Sequence, residues 1–377
     1  MMRRVVWFSL MLLLAGCSLF GSSKTVREPT RLSEFKESAK IKVRWHREVG
    51  DARMETLQPA VVGDAVYAAN AAGEVYRFEA ATGKEDWHAD SGLSISAGVG
   101  AGEGLVLLGG NKGDIAAFGE DDGKLRWKVR VSSEVLSAPQ VADGIVVVRT
   151  NDGRITGLKA ADGSRLWLYE RATPALTIRN HAGVLIRDGV VYAGFAAGKL
   201  AAINLTSGIL KWEATVSLPR GNTELERISD ITSLPVADKN QVCAVAFQGN
   251  VACFDMGQGV LQWSRELSSD SGMVLGEKNL YATDAEDTVS ALDKTSGSPL
   301  WKNDKLAKRR VSRPCLLDKY VVVGDYEGYI HVLSGDDGGF AARLKTDGGA
   351  IVAAPVDLDG GLLVQTVNGG LYSVEIH

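Results

Sequence analysis

The sequence predicts an all-β chain: an eight-bladed β-propeller of four-stranded antiparallel blades, its ring closed by the N-terminal strand joining the C-terminal blade. Three observations carry this. Trp45, Trp87, Trp127, Trp167, Trp212, Trp263 and Trp301 recur about every forty residues, and the last six each follow a glycine four positions earlier, from Ala81-Thr82-Gly83 to Thr295-Ser296-Gly297. A period of this length marks an array of units that bury their apolar faces only against one another. Second, each unit holds a tight-turn glycine between two apolar runs: Gly73, Gly113, Gly153, Gly198, Gly249, Gly328 and Gly369, with Asp287 in the sixth. Third, Leu125, Trp127, Val129 and Val131 alternate with Arg126, Lys128 and Arg130. That is the period of a strand, and the spacing of three to four that helical repeats require is absent.

Taken from the start, Arg3 and Arg4 precede an apolar run from Val5 to Leu14, too short to span a bilayer comfortably. Residues 1–16 are therefore expected to be a signal peptide. The run ends Leu14-Ala15-Gly16-Cys17, which resembles the bacterial lipobox and implies a diacylglycerol on Cys17. Ser18 after that cysteine fits export to the outer membrane facing the periplasm, with the lipid holding a soluble ring at the surface. Residues 17–40, rich in Ser, Lys, Arg and Glu, are expected to be a flexible tether with a short helix from Leu32 to Ala39. No linker-like stretch follows, so residues 41–377 form one propeller domain despite their length.

The blade count follows from the landmarks. Eight hairpins face six internal Trp phrases, and Phe340, after Asp336-Asp337-Gly338-Gly339, supplies a seventh. Trp45 lies in an orphan strand, Ile41 to Val49, and the chain stops after a hairpin with no fourth strand. The two ends must complete one blade, because an open array would leave two bare faces. A residue repeated in every blade is a packing element before it is a site, so the tryptophans are read as structural.

Of the cysteines beyond Cys17, Cys243 and Cys253 lie opposite each other if the Gly249 hairpin has a three-residue loop. A cross-strand disulfide is then geometrically permitted in an oxidising compartment, with two buried free thiols as the alternative. Cys315 has no partner. The formal charge of −4, which loss of Arg3 and Arg4 deepens to −6, argues against nucleic acid. His46, His88, His181, His331 and His377 are scattered without metal-ligand spacing, and no nucleophile elbow or phosphate loop is present. Asp357-Leu358-Asp359-Gly360-Gly361 lacks the later ligands of a calcium loop and reads as a turn. No metal, no cofactor beyond the Cys17 lipid and no catalytic residue is expected.

A lipobox, a short tether and eight blades carrying the Gly-x-x-x-Trp phrase resemble the BamB family, lipoprotein subunits of the outer-membrane β-barrel assembly machinery within the pyrroloquinoline-quinone-like repeat group. Two departures from the repeat sharpen the resemblance: Thr173 to Asn180, and Pro219 to Asp230. The resemblance implies a non-catalytic scaffold that docks on the periplasmic domains of the central subunit, BamA, beside the other subunits, and assists unfolded outer-membrane protein clients. It implies that Leu176, Ile178, Arg179 and Asp230 carry the docking. Thr232 stands where the family pattern has a second Asp, which weakens the acidic half. Rigid scaffolds present irregular loops for binding, which agrees. The rival readings are a quinone-dependent dehydrogenase-like propeller enzyme and a periplasmic ligand-binding lipoprotein.

Overall fold

The computed structural model describes residues 28–377 except 173, 175, 180 and 181. The signal peptide and the lipidation expected at Cys17 lie outside the described residues. The described residues form eight four-stranded antiparallel sheets. Blade one runs from Ala60–Val62 to Glu85–Asp90, and blades two to seven follow in order to Phe340–Lys345. The eighth is composite: Val356–Leu358, Gly361–Gln365 and Gly370–Ile376 are joined by Ile41–Glu48 as its outermost strand. That pairing runs from Ile41 opposite Ile376 to Glu48 opposite Gly370, so the ring closes on the chain's two ends as expected.

Apolar burial is distributed around the ring as clusters between neighbouring blades rather than as one core. Tyr67 and Val75 of blade one pack with Val106, Leu108 and Phe118 of blade two, and Trp212 of blade four with Val242 and Phe254 of blade five. Each joint also has a polar clasp. The indole Nε1 of Trp127 donates to Ala160 O at 2.7 Å, and that of Trp167 to Leu205 O at 2.8 Å. Trp45 does the same across the closure, to Ala80 O at 2.8 Å.

The phrase glycine serves the preceding blade's tryptophan rather than its own. Gly163 has a φ of 73° and a Cβ there would stand 2.7 Å from Trp127; Gly208, at a φ of 70°, stands in the same relation to Trp167. Glycine is thus required twice, for the left-handed backbone and for the close approach of the ring face.

Two sequence expectations are corrected by one feature. Every outer strand carries a β-bulge at the tryptophan position; in blade two Trp127 faces Ala117 and Leu125 faces Phe118, leaving Arg126 as the extra residue. A bulge breaks the two-residue alternation, so Leu125 turns to solvent, 53% exposed, while Trp127, Val129 and Val131 keep their common side. In blade seven the bulge puts Ala342, not Phe340, at the tryptophan position.

A small residue there leaves room, and residues before Ile41 fill it. Ser38 N and Ala39 N both donate to Ala341 O, at 3.0 and 3.1 Å. Ala39 is buried beside Ala341 and Ala342, and Phe35 packs on Phe340 with ring centroids 5.3 Å apart. Arg343 Nη1 donates to Ser33 O at 3.1 Å and Arg309 Nη1 to Thr30 O at 2.9 Å. The helix expected from Leu32 to Ala39 is therefore absent, because its backbone groups are claimed by blade seven. Both arginines are held from behind: Arg309 Nε donates to Asp325 Oδ2 at 2.7 Å, and Arg343 Nε donates to His331 Nδ1 at 3.1 Å. His331 Nε2–H then donates to Asp325 Oδ2 at 2.9 Å, and burial holds this neutral imidazole's pKa below its usual value.

Two turns depart from the glycine rule. Asp287 adopts a φ of 65° itself, and its carboxylate accepts from Arg310 N and Val311 N at 3.0 and 2.7 Å. In blade five the left-handed residue is Gln248, with a φ of 51°, one position before Gly249. Beyond that turn Cys243 lies directly opposite Cys253, with Cα atoms 4.1 Å apart, and the two are joined in a disulfide; Cys315 is free.

Gly208→Val should lower stability by about 2–4 kcal/mol, from overpacking against Trp167 plus the left-handed penalty of a side chain; a wild-type urea midpoint would contradict the joint described. Protein unfolded without reductant should expose one alkylatable thiol, Cys315, and two more only after reduction, as read by intact mass.

Candidate partner-binding surface

Because strands alternate in direction, the hairpins between second and third strands share one end of the ring with the connections between blades. The tryptophan-facing glycine turns occupy the other end. Both irregular insertions are interblade connections, from Tyr169 to Val184 and from Thr215 to Val236, so they stand side by side on the first end.

The sequence-predicted residues do come together here, but not with the roles assigned to each. Leu176 is 41% exposed and itself lies outside any strand, so it is not part of a buried strand. Ile178 is partly buried and lines the axial cavity. Arg179, its side chain half-exposed, pairs with Glu134 at 2.7 Å and reaches Glu55 at 4.0 Å. The Glu134 hydrogen bond holds its guanidinium above the ordinary arginine pKa.

Asp230 departs most from expectation. It is 2% exposed, and its two oxygens accept from Ile178 N at 2.9 Å and Ala197 N at 3.1 Å. Its charge also faces the guanidinium of Arg149, which is buried and whose pKa that burial lowers to about 10. The carboxylate is thus an internal tie that sets the height of the Leu176–Arg179 loop, not an acidic face turned to a partner. Thr232, two residues on, is also buried and its hydroxyl has no partner among the described residues. The sequence held no signal for Glu134, Glu55 and Arg149, which lie in ordinary repeat positions and reach the loop only through the curvature of the ring.

The second insertion adds apolar surface at the same end. Leu218 and Leu225 are 65% and 67% exposed. The segment is shaped by Glu226, whose carboxylate accepts from Asn222 N and Thr223 N at 2.8 and 3.2 Å. Exposed leucines at the same end of the ring as an arginine held by acidic neighbours suit an anchor-and-rim interface with another protein. No group of three or more His, Cys, Asp or Glu able to hold a metal occurs among the described residues. The Asp357–Gly361 stretch is a tight hairpin turn whose Asp359 and Gly360 carbonyls accept from Arg44.

Comparison with known proteins bears on this arrangement. A family model described as outer membrane protein assembly factor BamB matches residues 71–303 and 285–377. The chain is 44% identical to the protein of that name from Pseudomonas aeruginosa, covering 98% of this chain and 97% of the relative. It is 42% identical to that of Burkholderia pseudomallei over 96% and 94%, and 35% identical to that of Escherichia coli over 96% of each. Among solved structures, BamB from Moraxella catarrhalis superposes with a TM-score of 0.83 at 26% identity, covering 89% of this chain and all of that one. A quinohemoprotein alcohol dehydrogenase from Comamonas testosteroni reaches a TM-score of 0.72 at 14% identity, covering 89% of this chain and 76% of its own, a likeness of fold alone.

Asp230→Ala should cost about 3 kcal/mol or more, since it strands two amides and a buried guanidinium, and should speed proteolysis within residues 172–182. A loss below about 1 kcal/mol with unchanged cleavage would show that Asp230 does not hold the loop.

Proposed function

Because this chain belongs to the family of outer membrane protein assembly factor BamB, we propose that it is a non-catalytic scaffold of outer-membrane protein assembly, docked on a larger assembly subunit through its two irregular loops. The observation that carries this is identity of 34–44% over nearly the whole chain with proteins of that name, against the 14% fold likeness to a dehydrogenase. It favours an assembly factor over both rival readings.

The docking surface is the Leu176–Arg179 loop with the neighbouring Leu218 and Leu225, and the partner is the periplasmic part of BamA. Leu176 supplies an apolar anchor. Arg179 supplies a directed charge, because Glu134 and Glu55 fix its fork before a partner arrives and so reduce the ordering cost of binding. Asp230 acts through the loop it positions, without touching the partner. The lipid on Cys17 holds the ring at the periplasmic face of the outer membrane. Unfolded outer-membrane proteins are the clients the complex serves.

Arg179→Glu places a third carboxylate beside Glu134 and Glu55 and removes the presented cation. It should cut recovery of BamA in affinity purification about tenfold or more while thermal unfolding stays close to wild type. Undiminished recovery would refute the assigned contact.

A further inference from the structure

Seven of the eight interblade connections, with Gly98 of blade two, converge on a cavity of about 540 Å³ at the axial mouth of the ring. Five charged residues line it: Arg179, Asp270, Asp287, Arg310 and Arg313. Arg313 lines the cavity with the Cys315 thiol nearby and makes no ion pair among the described residues; burial holds the arginine below its ordinary pKa. That thiol is pushed up to about 11 by its own burial, so it is neutral and offers no counter-charge. The nearby Asp287 spends its carboxylate on two backbone amides of the same connection.

Beside Arg313 lie unsatisfied hydroxyls. Thr232 Oγ1 and Ser233 Oγ are buried with no partner among the described residues. Gly272 keeps the space between the two elements open: a Cβ there would stand 2.9 Å from Ser233 Cβ and 3.1 Å from Arg313 Cδ. The wall is rigid, because Ser271 Oγ donates to Val311 O at 2.9 Å and Thr283 Oγ1 to Ser312 O at 3.0 Å. A half-buried guanidinium without an ion-pair partner, next to buried hydroxyls that have no partner among the described residues, is matched to a planar oxyanion, since arginine binds carboxylates through two parallel hydrogen bonds.

We propose that the axial mouth of this propeller is a binding site for a small carboxylate, held by the Arg313 guanidinium and the hydroxyls of Ser233 and Thr232. The site adjoins the docking loop, whose Ile178 and Arg179 line the same cavity, and extends the scaffold reading to a ring that also holds a ligand. The carboxylate can belong to a free organic acid or to the C-terminus of an extended peptide, and the cavity volume excludes a folded partner.

Calorimetric titration of the full soluble ring at low ionic strength, with succinate and with a short neutral peptide carrying a free or an amidated C-terminus, tests this. Saturable one-to-one binding of succinate points to a free acid, and binding of the free peptide but not its amide points to a chain terminus. In either case Arg313→Gln should weaken binding about ten- to a hundredfold, whereas Lys42→Gln, on the exposed outer strand of blade eight, should leave it unchanged. If Arg313→Gln does not fold, Ser233→Val takes its place, with a several-fold loss expected. No binding of any carboxylate to the wild-type ring, or equal affinity in the folded Arg313 or Ser233 variant, would overturn the site.

Discussion

The ring stands on one repeated contact, an indole laid on the left-handed glycine of the next blade. The indole nitrogen is satisfied by a backbone carbonyl of that same turn region, as with Trp127 on Ala160 O. Contact and clasp together fix how far apart two blades sit, and repetition around the circle fixes the count. A side chain at any of these glycines would push the ring open. The β-bulge beside each tryptophan belongs to the same device, because added twist aims the indole out of its own sheet and toward its neighbour.

Where the chain's ends meet, that device has no turn to use. The eighth blade lacks the third-to-fourth strand connection, since its outer strand comes from the other end of the chain. Ala342 replaces the tryptophan at this joint, and the segment from Thr30 to Lys40 lies in its place, bound by Arg309 and Arg343. Closure is therefore a matter of strand pairing and side-chain packing together. The neutral His331 and the Asp325 carboxylate orient both arginines, so a buried polar network does at one joint what an indole does at the others.

A ring this regular leaves recognition to its irregular connections, and both long insertions lie at one end. The loop around Leu176 is held from inside the ring by Asp230 and from the neighbouring blade by Glu134. It is a presented surface rather than a loose one. The axial cavity opens at the same end, with Ile178 and Arg179 on its wall, so a molecule in the mouth and a protein on the rim would share a boundary.

Much of this was legible in the residues alone. The forty-residue period, the turn glycines and the orphan strand around Trp45 determined the propeller, its eight blades and its closure, because each is a local requirement of backbone or a conserved arithmetic of strands. The register opposing Cys243 to Cys253 was likewise local. What only the tertiary structure decided were relations across the ring: that each glycine serves the tryptophan before it, that Ala342 rather than Phe340 holds the seventh position, that residues before Ile41 are packed as an extended strap, and that Asp230 is buried. These depend on which side chains the closed curve brings within contact, and sequence spacing carries no information about distances set by curvature.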